Sequence, residues 1–156
     1  MATPGKPEDI SDYAGFVTYR VSQLNAKMSG QATRLLREHG GLSQVQWRLL
    51  ALINVSSPVT SAALVKSIAM DAGQFSRTLK ALIHNDMVKS KVDENDQRRQ
   101  VLSLTKKGLL RYKLAAPLMK ERREALMHGV SKADREAFFR VLDQLENNLV
   151  EQEVTP

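Results

Sequence analysis

Apolar residues recur at three- and four-residue steps along most of this chain and switch to a two-residue period in one place only. Phe16, Val17, Val21, Leu24 and Met28 keep helical spacing, which predicts a helix from about Glu8 to Glu38. Gly30 is a candidate bend within it, and His39-Gly40-Gly41 is a stop signal. A second helix opens in LSQVQWRLLALI, residues 42–53. Ser43 with Gln46 three residues on is a capping box: the hydroxyl accepts an early backbone N–H and the amide reaches back. Leu42 is placed to staple onto Trp47, and Trp47, Leu50 and Ile53 share one face, which predicts a buried tryptophan used for packing.

Ser57-Pro58 marks a turn, and Thr60 is the N-cap expected for a short helix ending near Ala69, with Leu64 and Ile68 inward. Asp71 then caps a longer helix, residues 72–86. A short helix, a tight turn and a longer helix make a helix-turn-helix unit. On the wheel of the longer helix, Phe75, Leu79, Leu82 and Ile83 form an apolar face. The opposite face is small, polar and basic: Gly73, Arg77, Lys80 and His84, flanked by Gln74, Ser76 and Ala81. No Asp or Glu falls between Ala72 and Asn85, whereas ordinary surface helices mix signs. Arg and Gln read guanine and adenine edges, and Ser serves bases or phosphates.

The two-residue period comes next. MVKSKV (87–92) and QVLSLT (100–105) alternate around a polar loop and predict a β-hairpin. Its tip holds Asp93, Glu94 and Asp96, then Arg98 and Arg99. A hairpin behind a helix-turn-helix is a winged helix, and an arginine on such a tip suits the negative potential of a DNA minor groove. Asp96 is placed to hold the Arg98 guanidinium by a charge-assisted bond. A long helix is expected from Thr105 to His128, kinked at Pro117 and stopped by Gly129. Ser131 and Asp134 cap a last helix in which Phe138, Leu142, Leu145 and Leu149 repeat at steps of four, three and four. These terminal stripes want a partner, either one another or a second copy across a two-fold axis.

Charge sharpens this picture. The net charge is +6 and the pI about 9.7. Residues 61–107 carry nine basic and five acidic side chains, and residues 129–156 carry three and six. A basic middle points to a polyanion such as nucleic acid. The 156-residue length suits one domain with extensions, and 42% hydrophobic with 26% charged residues argues against global disorder. Cysteine is absent, so disulfides and thiolate zinc sites are excluded. No apolar run is long enough for a membrane span and the N-terminus lacks a secretory h-region, so a cytoplasmic location and no membrane partner are expected. His39, His84 and His128 stand far apart without paired ligand spacing; no metal, cofactor, catalytic triad or phosphate loop is indicated, and the chain does not read as an enzyme. The methionines read as core fillers.

From Leu42 to Gly108 the chain resembles the MarR family, the multiple-antibiotic-resistance type of bacterial and archaeal regulators. The resemblance is strongest in FSRTLKALI, in Asp93…Asp96-x-Arg98, and in LSLTKKG. It implies a mainly α fold with a small β-hairpin: a winged helix-turn-helix flanked by N- and C-terminal dimerisation helices. It implies a homodimer on double-stranded DNA. By position Gln74, Ser76, Arg77 and Lys80 would face the major groove and Thr60 and Ser61 the phosphates. Arg98 would be the wing arginine, supported by Asp96 with Arg99 beside it, and Ile10, Leu142, Leu145 and Leu149 would join the dimer interface. It also implies a cleft for a small aromatic or phenolic anion as effector, for which Phe16, Tyr19, Arg20 and Trp47 offer walls and a cation, although Phe16 and Trp47 read first as core residues. Gly73 departs from the family, which often has a basic or bulky residue there, and this leaves the preferred DNA sequence open. The organisation expected is a tail (1–7), an N-terminal dimerisation segment (8–41), the DNA-binding domain (42–107), C-terminal dimerisation helices (108–152) and a tail (153–156). The functional reading is a ligand-responsive repressor on a pseudo-palindromic operator. The alternatives are an architectural or nucleoid protein that binds DNA without sequence preference, or a protein–protein module.

Overall fold

The structure, a computed structural model, describes residues 16–68, 70–93, 96 and 98–154. The expected tail at 1–7, Ile10 and the first part of the N-terminal helix lie outside the described residues. The elements run α1 (Val17–Gly40), α2 (Gln44–Ser56), β1 (Val59–Thr60), α3 (Ser61–Ser67), α4 (Ala72–His84), β2 (Val88–Val92), β3 (Gln100–Leu104), α5 (Lys106–Leu126) and α6 (Lys132–Val154). The chain divides into two compact units, with the boundary between Met119 and Lys120, inside α5.

The first unit is built on local signals that agree with its packing. α1 passes through Gly30 without a break and ends where Gly41 turns left-handed at φ 61°. There the N–H groups of Gly41 and Leu42 return to the carbonyls of Arg37 and Leu36, at 3.3 and 3.2 Å. A residue with a Cβ is strained in that conformation, which is why the helix stops at a glycine. α2 starts on the expected capping box: Ser43 Oγ accepts from Gln46 N at 3.2 Å, and Gln46 Oε1 accepts from Ser43 N at 2.9 Å. The Gln44 amide ties this end to α1 by donating to the Ser29 carbonyl at 2.7 Å and to Thr33 Oγ1 at 2.8 Å. Leu49, Leu50 and Ile53 are fully buried and meet Leu36, Leu64, Phe75, Leu82, Val88 and Leu102 in one core. Trp47 is half-buried at its margin rather than enclosed, its ring stacked on Tyr112 at 5.3 Å between centroids and 8° between planes.

Two features differ from expectation. The hairpin is part of a three-stranded sheet of order β1-β3-β2. β1 pairs antiparallel with β3, Val59 opposite Leu102 and Thr60 opposite Val101. Two residues are too few to show alternation, so only the pairing reveals this strand. α3 ends at Ser67 rather than near Ala69, because Ile68 takes an extended backbone (φ −116°, ψ 123°) and buries its side chain. Residues 68–71 therefore connect α3 to α4, a longer link than the single residue expected.

α5 is continuous from Lys106 to Leu126 with Pro117 inside it. In the second unit, Gly129 (φ 77°) and Val130 precede α6. α6 opens as expected: Ser131 Oγ accepts from Asp134 N at 3.1 Å and donates to Asp134 Oδ2 at 2.6 Å. Helix α6 runs through Val154, into the expected tail.

Candidate nucleic-acid interface

Both helices that carry candidate contacts, α3 and α4, are started by their own N-caps. Thr60 Oγ1 accepts from Ala63 N at 3.2 Å and starts α3, leaving Thr60 and Ser61 half-buried at that end. Asp71 Oδ1 accepts from Gln74 N at 2.9 Å and starts α4. α4 then buries Phe75, Leu79 and Leu82. With that spine fixed, Gln74, Ser76, Arg77 and Lys80 are all exposed. A Cβ on Gly73 would lie 3.1 Å from Asp71 Oδ1 and 3.4 Å from an Arg77 guanidinium nitrogen. The Arg77 head thus folds back over the bare start of its own helix.

At the hairpin tip the structure corrects the pairing expected for Asp96. Its carboxylate accepts from the backbone N–H of Arg98 at 3.0 Å and pairs with Arg99 Nε at 3.1 Å, not with the Arg98 guanidinium. The Arg99 N–H also returns to the Asp96 carbonyl at 2.9 Å. Asp96 opens a tight turn, and in such a turn the fourth residue, not the third, brings its side chain beside the first. The pair is largely exposed and adds little stability, so its effect is to orient Arg99. Among the described residues the Arg98 guanidinium has no ion-pair partner.

Between the start of α3 and the hairpin lies an open groove of about 580 Å³ lined by Thr60, Ser61, Lys66, Arg98, Arg99 and Gln100, among others. It brings the expected α3 contacts and the expected wing arginines to one place. Sequence reading missed Lys66 and Gln100. Lys66 was findable as the cation four positions after Ala62, on the same helix face. Gln100 was not, because its place depends on β3 and on the bond Ser90 Oγ gives its Oε1 at 3.0 Å.

The four residues expected around an effector do not meet within one chain. Phe16 (47% exposed), Tyr19 and Arg20 occupy the exposed start of α1. Tyr19 takes a 2.6 Å bond from the Gln23 amide. Ser29, which α2 binds through Gln44, lies about 15 Å further along the axis at 1.5 Å per residue. Trp47, on α2, finds Tyr112 instead. Phe16 is thus not a core residue. Of the expected interface residues on α6, Leu142 and Leu145 are half-buried and Leu149 is 63% exposed. Among the described residues no group of acidic or histidine side chains is placed to hold a metal ion, and no helix is long and apolar enough to cross a membrane.

Known proteins agree with this geometry. Residues 42–108 match the family of winged helix DNA-binding domains. The chain is 27% identical over 120 residues to YwoH of Bacillus subtilis (strain 168), an uncharacterized HTH-type transcriptional regulator, covering 76% of this chain and 87% of that protein. A MarR/EmrR family transcriptional regulator from Acinetobacter sp. ADP1 superposes with a TM-score of 0.76 at 21% identity, covering 92% of this chain and 99% of the other. MepR of S. aureus, in a complex with DNA, superposes with a TM-score of 0.78 at 18% identity over 85% of this chain and 98% of the other. Residues 42–108 of this chain therefore belong to the winged helix DNA-binding domains, and the chain shares its fold with transcriptional regulators of the MarR type.

Proposed function

We propose that the protein is a sequence-specific repressor that binds a pseudo-palindromic operator as a homodimer. The observation that carries this reading is the acid-free face of α4: Gln74, Ser76, Arg77 and Lys80 stand exposed on a helix whose other side is locked into the core. That face presents amide and guanidinium donors at base-reading spacing, and its rigid backing keeps them in register. Thr60, Ser61, Lys66, Arg98 and Arg99 line the neighbouring groove and supply phosphate and minor-groove contacts. Exposed Leu110, Leu114, Phe138, Val141 and Leu149, with half-buried Leu142 and Leu145, are covered by the second copy. Repression follows from occupancy alone, since blocking a promoter needs no further protein. The setting is cytoplasmic. A small aromatic or phenolic anion is the proposed effector, and in this chain the aromatic surface in place for it is the Trp47–Tyr112 stack rather than Phe16, Tyr19 and Arg20.

The test is a salt titration of duplex binding, with the upstream region of the protein's own gene against random DNA. Preferential binding that weakens steeply with salt is expected, with a slope of about 0.9 per phosphate contacted. Equal binding to both duplexes overturns the specific reading in favour of an architectural one. Trp47 is the chain's one tryptophan, so its fluorescence reports directly whether a phenolic carboxylate reaches the stack.

A further inference from the structure

The end of α4 is clasped to the first turn of α5. Three consecutive carbonyls leave α4 at Asn85, Asp86 and Met87, and each is taken by the start of α5. Lys107 Nζ donates to Asn85 O at 2.8 Å, Thr105 Oγ1 donates to Asp86 O at 2.6 Å, and Thr105 N donates to Met87 O at 3.1 Å. The Thr105 hydroxyl does two jobs, because its oxygen also accepts from Gly108 N at 3.0 Å and so caps α5. Asp86 sits at φ 56°, a non-glycine residue in left-handed backbone, and that turn is what swings these carbonyls away from the axis of α4. A Cβ on Gly108 would overlap the Met87 carbonyl, so the two elements meet backbone to backbone. Lys107 also places a cation at the carbonyl end of α4, where the helix dipole favours one.

We infer that Thr105, Lys107 and Gly108 are positioning residues for DNA reading: they fix the pitch of α4 against α5 and thereby set the spacing of the two reading helices in the dimer. The inference rests on the dimeric reading proposed above. Most of α4 is held through its apolar spine, and a spine of side chains permits small rolls and slides. Three directed bonds at one end of a 13-residue helix do not. α5 continues to Leu126 and exposes Leu110 and Leu114, so the same helix that grips α4 carries the apolar surface assigned to the dimer. An error of pitch at the clasp is therefore multiplied into an error of spacing between half-sites.

The experiment uses the full chain and the duplex that it selects from a randomised pool. Thr105→Val removes the hydroxyl at nearly constant shape, Thr105→Ser keeps it, and Lys107→Met alters only an exposed side chain. Affinity is measured by anisotropy on the selected duplex, on the same duplex with two base pairs inserted between half-sites, and on random duplex. Thr105→Val is expected to lose roughly tenfold on the selected duplex while staying within about twofold on random DNA, and to lose most of its penalty for the insertion. Thr105→Ser restores both, and Lys107→Met shifts the same way by less. Equal losses by Thr105→Val on selected and random DNA, or unchanged spacing dependence in both Thr105→Val and Lys107→Met, overturn the clasp and leave the dimeric reading intact. A wild-type protein indifferent to the insertion overturns both.

Discussion

The residues of the winged helix and those of α6 use apolar side chains in opposite ways. From Leu42 to Leu104 most large aliphatic residues are turned inward, with Val55, Val92 and Ile83, expected on the apolar face of α4, left exposed: Leu49, Leu50, Ile53 and Leu82 are completely buried, and Leu102 joins them from the sheet. On α6 the apolar stripe is as regular in sequence, yet Leu142 and Leu145 are only half-buried, Phe138 and Leu149 are half or more exposed, and so are Phe139, Val141 and Val150 beside them. Burying apolar area at about 25 cal/mol per Å² favours covering such a stripe, and contiguous exposed apolar patches mark association surfaces. One region is complete as a single chain, whereas the other has the composition of an interface half. A periodic stripe therefore says that a face wants covering, and only the tertiary structure says whether the chain covers it.

That contrast can be broken from its association side. Leu142→Asp with Leu149→Asp places two charges in the proposed interface. The pair is expected to give a monomer by light scattering and to abolish operator binding at micromolar protein, while the winged helix keeps its helical circular dichroism. A variant that remains dimeric refutes the assignment of α6.

From the core side, Leu82→Ala is expected to destabilise the fold by about 2–5 kcal/mol, through lost transfer energy and an unfilled cavity. Denaturant unfolding measures it, and a loss under about 1 kcal/mol means that the site collapses more easily than its full burial suggests. A smaller and chemically specific effect is expected on α4. Arg77→Ala should cost about 1–3 kcal/mol at the specific site and little on random DNA if the guanidinium makes a bidentate base contact. Equal losses would demote it to a phosphate contact.

The smallest effect separates the two wing arginines. Arg98 has its guanidinium unpaired among the described residues, whereas Arg99 is held by Asp96. Arg98→Ala is expected to weaken binding more than Arg99→Ala, most at A·T-rich flanks, because the freer head reaches the minor groove. The reverse order would make Arg99, fixed on its turn, the inserted residue.

The split between legible and hidden features follows the range of the interactions. The caps at Ser43, Thr60, Asp71 and Ser131 each bind a residue three positions away, so spacing alone exposes them. The apolar spine of α4 and its acid-free face are read from a helical wheel, since Phe75, Leu79 and Leu82 repeat within one element. The exposed wing residues were legible as polar, but the choice of Arg99 over Arg98 by Asp96 was not, because it depends on the backbone of a turn.

Sequence by itself determined the order of helices and hairpin, the caps, the basic middle of the chain and the helix that carries the candidate reading face. These depend on neighbours within about four residues, where backbone geometry is nearly fixed by the element. Tertiary structure alone decided that Val59 and Thr60 join the sheet, that Trp47 stacks on Tyr112 away from Tyr19, and that Lys66 shares a groove with the wing arginines. It alone brought Thr105 and Lys107 onto the end of α4, across 19 and 22 residues of chain. Such contacts form only after loops close, and no local period or spacing encodes which partner a side chain meets there.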